Sequence, residues 1–165
     1  MEMQGAVALV TGGTGGLGGR ICHALAQAGC QVAFVYRASH DQAQALADDL
    51  ATYHGRRGLP LVADLTDPAT FPGLLAEIEG AFGRLDILVN NAAANRWVPY
   101  PDLDALTPEL WDELLGRNLT SPFLLSRAAA PCCAATAAGA SSTSPRSPDS
   151  SRPAPASPTP SPRPG

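Results

Sequence analysis

The stretch Ala6–Gly18, AVALVTGGTGGLG, constrains this chain more than any other. An apolar run from Ala6 to Val10 enters a turn too rich in glycine to be helix or strand. An amphipathic segment follows, with Leu17, Ile21, Leu25 and Ala28 spaced to share one face. The pattern predicts strand, tight turn, helix. Such a turn offers backbone N–H groups and a helix N-terminus to a phosphate, because glycine lets the backbone come close and the helix dipole favours negative charge. A glycine turn without a ligand looks the same locally, so later motifs must decide.

Further along, strands and helices alternate. Val32–Tyr36 is a second buried-strand candidate, with Gly29 closing the helix before it. Ser39 and Gln42 have capping-box spacing, and the helix they open turns Ala43, Leu46, Ala47 and Leu50 inward and ends near Gly55. Leu59–Ala63 is a third strand. Asp67-Pro68 marks the start of a helix that buries Leu74, Leu75, Ile78 and Phe82 and stops at Gly83. Ile87–Val89 is a fourth strand. Thr107-Pro108-Glu109 starts another helix, with Leu110, Leu114 and Leu115 as its apolar stripe. This alternation predicts an α/β fold, a Rossmann-like, doubly wound parallel sheet in the order 3-2-1-4. The fourth strand is then an unpaired edge.

The chain has 165 residues, enough for one domain with a sizeable core, and a net charge of −4. That balance argues against nucleic acid or an anionic membrane as partner. No apolar run reaches a membrane span and no signal pattern precedes the first strand, which predicts a cytoplasmic protein. Cys22, Cys30, Cys132 and Cys133 lack metal-ligand spacing, and no metal is expected. His23, His40 and His54 fall in or beside helices and read as surface or packing residues.

After about Ala130 the composition changes to Ala, Ser, Pro and Thr with scattered Arg, and nine of the sixteen prolines lie from Pro131 onward. Residues 1–130 therefore read as the ordered domain and 131–165 as a disordered tail. A natural Pro/Ser-rich tail has this composition, and so does a reading frame slipped by one base near Pro131. Taking the last base of each codon with the first two of the next, the codons joining Ala140 to Ser144 encode two apolar residues, one of Asn, Asp, His or Tyr, and another apolar residue, provided Ser uses TCN codons. Later slots permit Ser-Ser and then, with chosen synonymous codons, Tyr and Lys.

The glycine turn fits two patterns. Gly13, Gly15 and Gly18 match the general dinucleotide fingerprint G-x-G-x-x-G. Thr11, Gly12, Gly16 and Gly18 match T-G-x-x-x-G-x-G, and Asp86–Ala93 (DILVNNAA) is close to an N-N-A-G strand end. With Asp64-Leu65 after the third strand and Asn118 in a later helix, the chain resembles the short-chain dehydrogenase/reductase family, nearest to its pteridine and carrier-protein ketoreductase branch. The resemblance runs from about Ala6 to Ala130. It implies a nicotinamide cofactor held by Thr11, Gly12, Thr14, Gly16, Leu17, Gly18, Tyr36, Arg37, Ser39, Asp64, Leu65, Asn90 and Ala92. It also implies a small carbonyl substrate and a homo-oligomer, with the helix from Thr107 and its successor at the subunit contact.

Where NAD-binding members carry an acidic residue for the ribose 2′-OH, this chain has Tyr36, followed by Arg37 and Ser39. A guanidinium pairs with a 2′-phosphate that a carboxylate would repel, so NADP(H) is expected over NAD(H). Trp97 and Tyr100 either line a substrate pocket or simply pack. The family's chemistry uses Ser, Tyr-x-x-x-Lys and a helix Asn. All eleven basic residues here are arginines, so Tyr-x-x-x-Lys is absent and Asn118 is the one remaining member. The chain is expected to be catalytically impaired, either a silent cofactor-binding module or a non-functional frameshift product.

Overall fold

The computed structural model describes residues 3–99 and 101–140, with side chains described through Cys133. The elements run β1 (Val7–Thr11), α1 (Gly16–Gln27), β2 (Gln31–Tyr36), α2 (His40–His54), β3 (Gly58–Val62), a 3-10 turn (Pro68–Thr70), α3 (Phe71–Phe82) and β4 (Ile87–Val89). A second 3-10 turn (Leu103–Ala105), α4 (Pro108–Leu115), one π turn (Gly116–Thr120) and α5 (Ser121–Ala140) follow. The strands form one parallel sheet in the expected order β3-β2-β1-β4. Among the described residues β4 pairs with β1 alone.

Period-2 alternation sorts the strand side chains onto two faces. Val7, Leu9, Ala33, Val35 and Leu61 point to the side covered by α3 and α5, where Phe71, Leu74, Leu75, Ile78, Leu125 and Ala129 complete one cluster. Ala8, Val10, Val32, Phe34 and Tyr36 point to the side covered by α1 and α2. Helices change side between the β2–β3 and β3–β4 connections. The strand order therefore reverses between β1 and β4, and the crevice at their carboxyl ends is where such sheets bind ligands.

Several local expectations are corrected. The buried seam of α1 is Gly18, Cys22 and Ala26, with Ile21 and Leu25 beside it; Leu17 is 67% exposed and Ala28 is the exposed C-cap. Small side chains every fourth residue let the helix axis lie close to the sheet, which rotates the seam away from the larger leucines. Ser39 is the N-cap of α2 but its side chain makes no capping bond. Phe82 is half-buried, and Phe71 takes a core place the pattern missed. None of α4 is buried: Leu110 and Leu114 are half-covered and Leu115 is exposed, because the helix stands at the rim of the sheet.

The largest departure is at the carboxyl end. Helix α5 passes through Pro131 and continues to Ala140, ten residues beyond Ala130, where the sequence suggested that order ends. An interior proline removes one helix hydrogen bond and crowds the preceding turn. Here Leu125, Ala129, Cys132 and Cys133 on either side of it pack on the α3 face of the sheet and hold the helix together. The expected disordered tail beyond Ala140 lies outside the described residues.

Candidate functional site

The glycine turn between β1 and α1 is shaped by two contacts. Gly12 has φ 69°, a left-handed conformation that suits glycine. A Cβ on Gly18 would run into the Gly12 carbonyl oxygen and lie 2.9 Å from Asn91 Nδ2. The turn is thus pressed against the start of α1, and the end of β4 closes over both. Asn91 Nδ2 donates to the Thr11 carbonyl at 2.9 Å and to the Gly12 carbonyl at 3.3 Å. The Thr11 hydroxyl accepts from the Asn91 and Ala92 amides at 3.0 and 2.9 Å and donates to the Val89 carbonyl at 3.4 Å. Thr11 is buried, and its role here is to lace β1 to β4.

In front of this lacing, the N-terminus of α1 is left open. Its N-cap, Gly15, has no side chain to cap it, and a Cβ on Gly16 would meet nothing within 4 Å. The first-turn amides of a helix have no partner within the helix. Gly16 and Leu17 are exposed there and Thr14 is half-buried. A phosphate fits this place: donors, dipole and free space coincide.

The crevice beside the turn is a cleft of about 920 Å³. Of the residues expected at a cofactor site, Gly12, Tyr36, Arg37, Asp64, Leu65 and Ala92 line it together. Thr11, Thr14, Gly16, Leu17, Gly18, Ser39 and Asn90 stand outside its lining. Tyr36 is buried at the end of β2, and its hydroxyl shares a 2.7 Å hydrogen bond with His40 Nδ1. Arg37 follows as an exposed cation. Asp64 Oδ1 accepts from the Thr66 amide at 2.9 Å and the Thr66 hydroxyl at 2.7 Å. These bonds, helped by the Arg37 and Arg117 charges, hold its carboxyl below the ordinary aspartate range.

The opposite wall comes from the segment after β4 and from α4. Trp97 lines the cleft while 80% exposed. Tyr100 lies outside the described residues. Glu109, Glu113 and Arg117 also line it, and Arg117 pairs with Glu113 at 3.2 Å. The sequence reading missed these three. Their spacing of four from α4 into the π turn was the available signal.

Asn118 sits in the π turn between α4 and α5. Its Oδ1 accepts from the Ala94 amide and its Nδ2 donates to the Ala94 carbonyl, both at 2.8 Å. This two-point clamp fixes the segment that leaves β4. Asn90, exposed at the end of β4, donates through Nδ2 to the Ser126 hydroxyl at 3.0 Å and so ties the strand to α5. Both asparagines serve as positioning groups at the rim of the cleft.

A family model described as short chain dehydrogenase matches residues 6–141. The chain is 38% identical over 130 residues to the 3-oxoacyl-(acyl-carrier-protein) reductase FabG of Escherichia coli (strain K12), covering 78% of this chain and 49% of that protein. It is 39% identical over 129 residues to the short chain dehydrogenase/reductase dpmpG of Macrophomina phaseolina, covering 78% and 71%. The first of these typifies the match: the chain spans about half the length of that relative. A short chain dehydrogenase from Burkholderia cenocepacia J2315, solved in complex with NADP, superposes with a TM-score of 0.71 at 38% identity, over 80% of this chain and 52% of that one. A metagenomic short-chain oxidoreductase, also in complex with NADP, gives 0.72 at 30% identity, over 82% and 60%.

Proposed function

Because the chain belongs to the short-chain dehydrogenase family, we propose that it is an NADP(H)-binding unit that holds cofactor without itself reducing a carbonyl. The observation that carries the preference for NADP(H) is Arg37. It lines the cleft at the end of β2, where an acidic residue would repel a 2′-phosphate. The diphosphate would lie at the open N-terminus of α1, over Gly16 and Leu17 with Thr14 at the turn. Asp64, Leu65 and Ala92 would bound the adenine side, with Ser39 beside the 2′-phosphate. Bound NADPH would carry a transferable hydride, and this chain's own residues would bind and orient the cofactor.

The catalytic half of the reading rests on the sequence. With no lysine among the 165 residues, no Tyr-x-x-x-Lys pair is available to hold and move the proton that must accompany the hydride. Asn118, engaged by Ala94, positions a loop and replaces neither group. Intact relatives of this type would act on a small carbonyl compound. The net charge of −4 supports the reading that nucleic acid is not a partner. No helix among the described residues is long and apolar enough to cross a membrane.

The test is a fluorescence titration of the full chain with NADPH and with NADH. NADPH binds more tightly, and Arg37→Ala weakens NADPH by on the order of tenfold or more while NADH changes little. Equal losses would remove the 2′-phosphate assignment. Steady NADPH oxidation with a carbonyl substrate would remove the catalytic one.

A second reading is favoured by the pattern hidden in the shifted frame after Pro131, in which the same cofactor site belongs to a complete reductase. Sequencing the coding DNA across codons 125 to 165 separates the two. An alternative frame that stays open through Tyr-x-x-x-Lys supports the reductase, and a closed one supports the binding unit.

A further inference from the structure

On the face of the sheet covered by α1 and α2, outside the cleft lining, two histidines meet across the helix pair. His23 Nδ1 of α1 and His54 Nε2, in the last turn of α2, lie 3.1 Å apart, with ring centroids separated by 5.3 Å and planes at 65°. Both rings are half-buried. The helices that carry them share one core cluster, in which Cys22 and Ala26 of α1 pack with Leu46, Ala47 and Leu50 of α2. The imidazoles are therefore presented by fixed backbone at a part-buried contact. As a plain contact this is a single hydrogen bond, one ring nitrogen donating and the other accepting.

We propose that this pair is also a chelating site for a borderline divalent cation of the Ni2+ or Cu2+ class, held by His23 Nδ1 and His54 Nε2. The separation of the two nitrogens carries the argument. Metal–imidazole bonds are ~2.0–2.1 Å long, and two of them spanning the 3.1 Å gap close an N–metal–N angle of roughly 98°. That lies close to the right angle between neighbouring ligands in tetragonal or octahedral complexes, and below the tetrahedral angle of zinc. A tilt of each ring about its side-chain torsions turns the lone pairs from each other towards a common point. The ring that donates the hydrogen bond moves its proton to its other nitrogen by exchange with water, so both rings ligate as neutral imidazoles and no net proton is taken up or released.

Among the described residues no group of three or more His, Cys, Asp or Glu side chains could hold a metal. Water completes the coordination sphere, so the ion is exchangeable. Its effect is to pin α1 to α2, the helices that flank β2 on the cofactor-phosphate side.

The probe is Ni2+ added to tag-free full chain, followed by calorimetry and by the thermal unfolding midpoint. The expected result is a single ion per chain and a midpoint that rises and then saturates. His23→Gln and His54→Gln each weaken Ni2+ by on the order of tenfold or more. His40→Gln leaves Ni2+ binding unchanged. No uptake, or equal uptake by the wild-type chain and the two variants, overturns the site. Should a variant fail to fold, the wild-type protein with one equivalent of Cu2+ decides by electron paramagnetic resonance. Coupling to two imidazole nitrogens supports the chelate, and coupling to one or none overturns it.

Discussion

The hydroxyl of Thr11 serves three backbone groups: the Asn91 and Ala92 amides and the Val89 carbonyl. Thr11→Val keeps the shape and removes the acceptor, leaving two part-buried amides without it. We expect this to cost about 1–3 kcal/mol, read in a denaturant titration, with Thr11→Ser retaining most of the stability. Unchanged stability in Thr11→Val together with a loss in Thr11→Ser would mean that the methyl group, not the hydroxyl, is what matters. The Thr-Gly pair was legible in the sequence as part of a glycine turn. Its partner Asn91 lies eighty residues away, and nothing local to Thr11 announces that contact. Asn118 is similar: its place in the motif was readable, but its grip on Ala94 depends on how α4 and the β4 loop come together. Cys22 was read as a core residue and is one; burial pushes its thiol up to about 12.

At the scale of elements, α5 separates what local propensity predicts from what packing decides. A proline inside a helix costs about 3 kcal/mol, and the Ala/Ser/Pro composition after Ala130 lacks large apolar side chains. The apolar positions that pay for α5 lie mostly before the proline and face the sheet beside α3. Leu125, 1% exposed, is the largest of them. Leu125→Ala should therefore destabilise the protein by about 2–5 kcal/mol, seen as a lower denaturation midpoint. A loss under ~1 kcal/mol would mean that α5 does not belong to the core. The four strands and the first three helices were legible to within a residue or two at most boundaries, apart from the 3-10 turn that precedes α3, because glycine stops and apolar periodicity are local signals. The seam of α1 was not, since an amphipathic pattern cannot say how close the helix axis will approach its sheet.

For the whole molecule, the question is which apolar surface remains uncovered. Trp111, Leu115, Leu119 and Phe123 recur every fourth residue from α4 through the π turn into α5, with exposures of 65, 37, 64 and 61%. A row of this kind on a helix pair points to a partner, and we propose a second copy of this chain, as the family resemblance implies. The sedimentation mass of the wild-type chain should exceed the monomer, and Leu119→Arg should return it towards the monomer; an unchanged mass in both would overturn the contact. The sequence by itself determined the order of strands and helices, the glycine turn between the first strand and the first helix, and the guanidinium that meets the cleft at the end of β2. Those features are written in neighbouring residues and in periods of two and 3.6. Only the tertiary structure decided that α5 outlasts its proline, that Thr11 and Asn91 lace the first strand to the fourth, and that His23 meets His54. Each of these joins residues remote in the chain, and its free energy exists only once the sheet has brought them together.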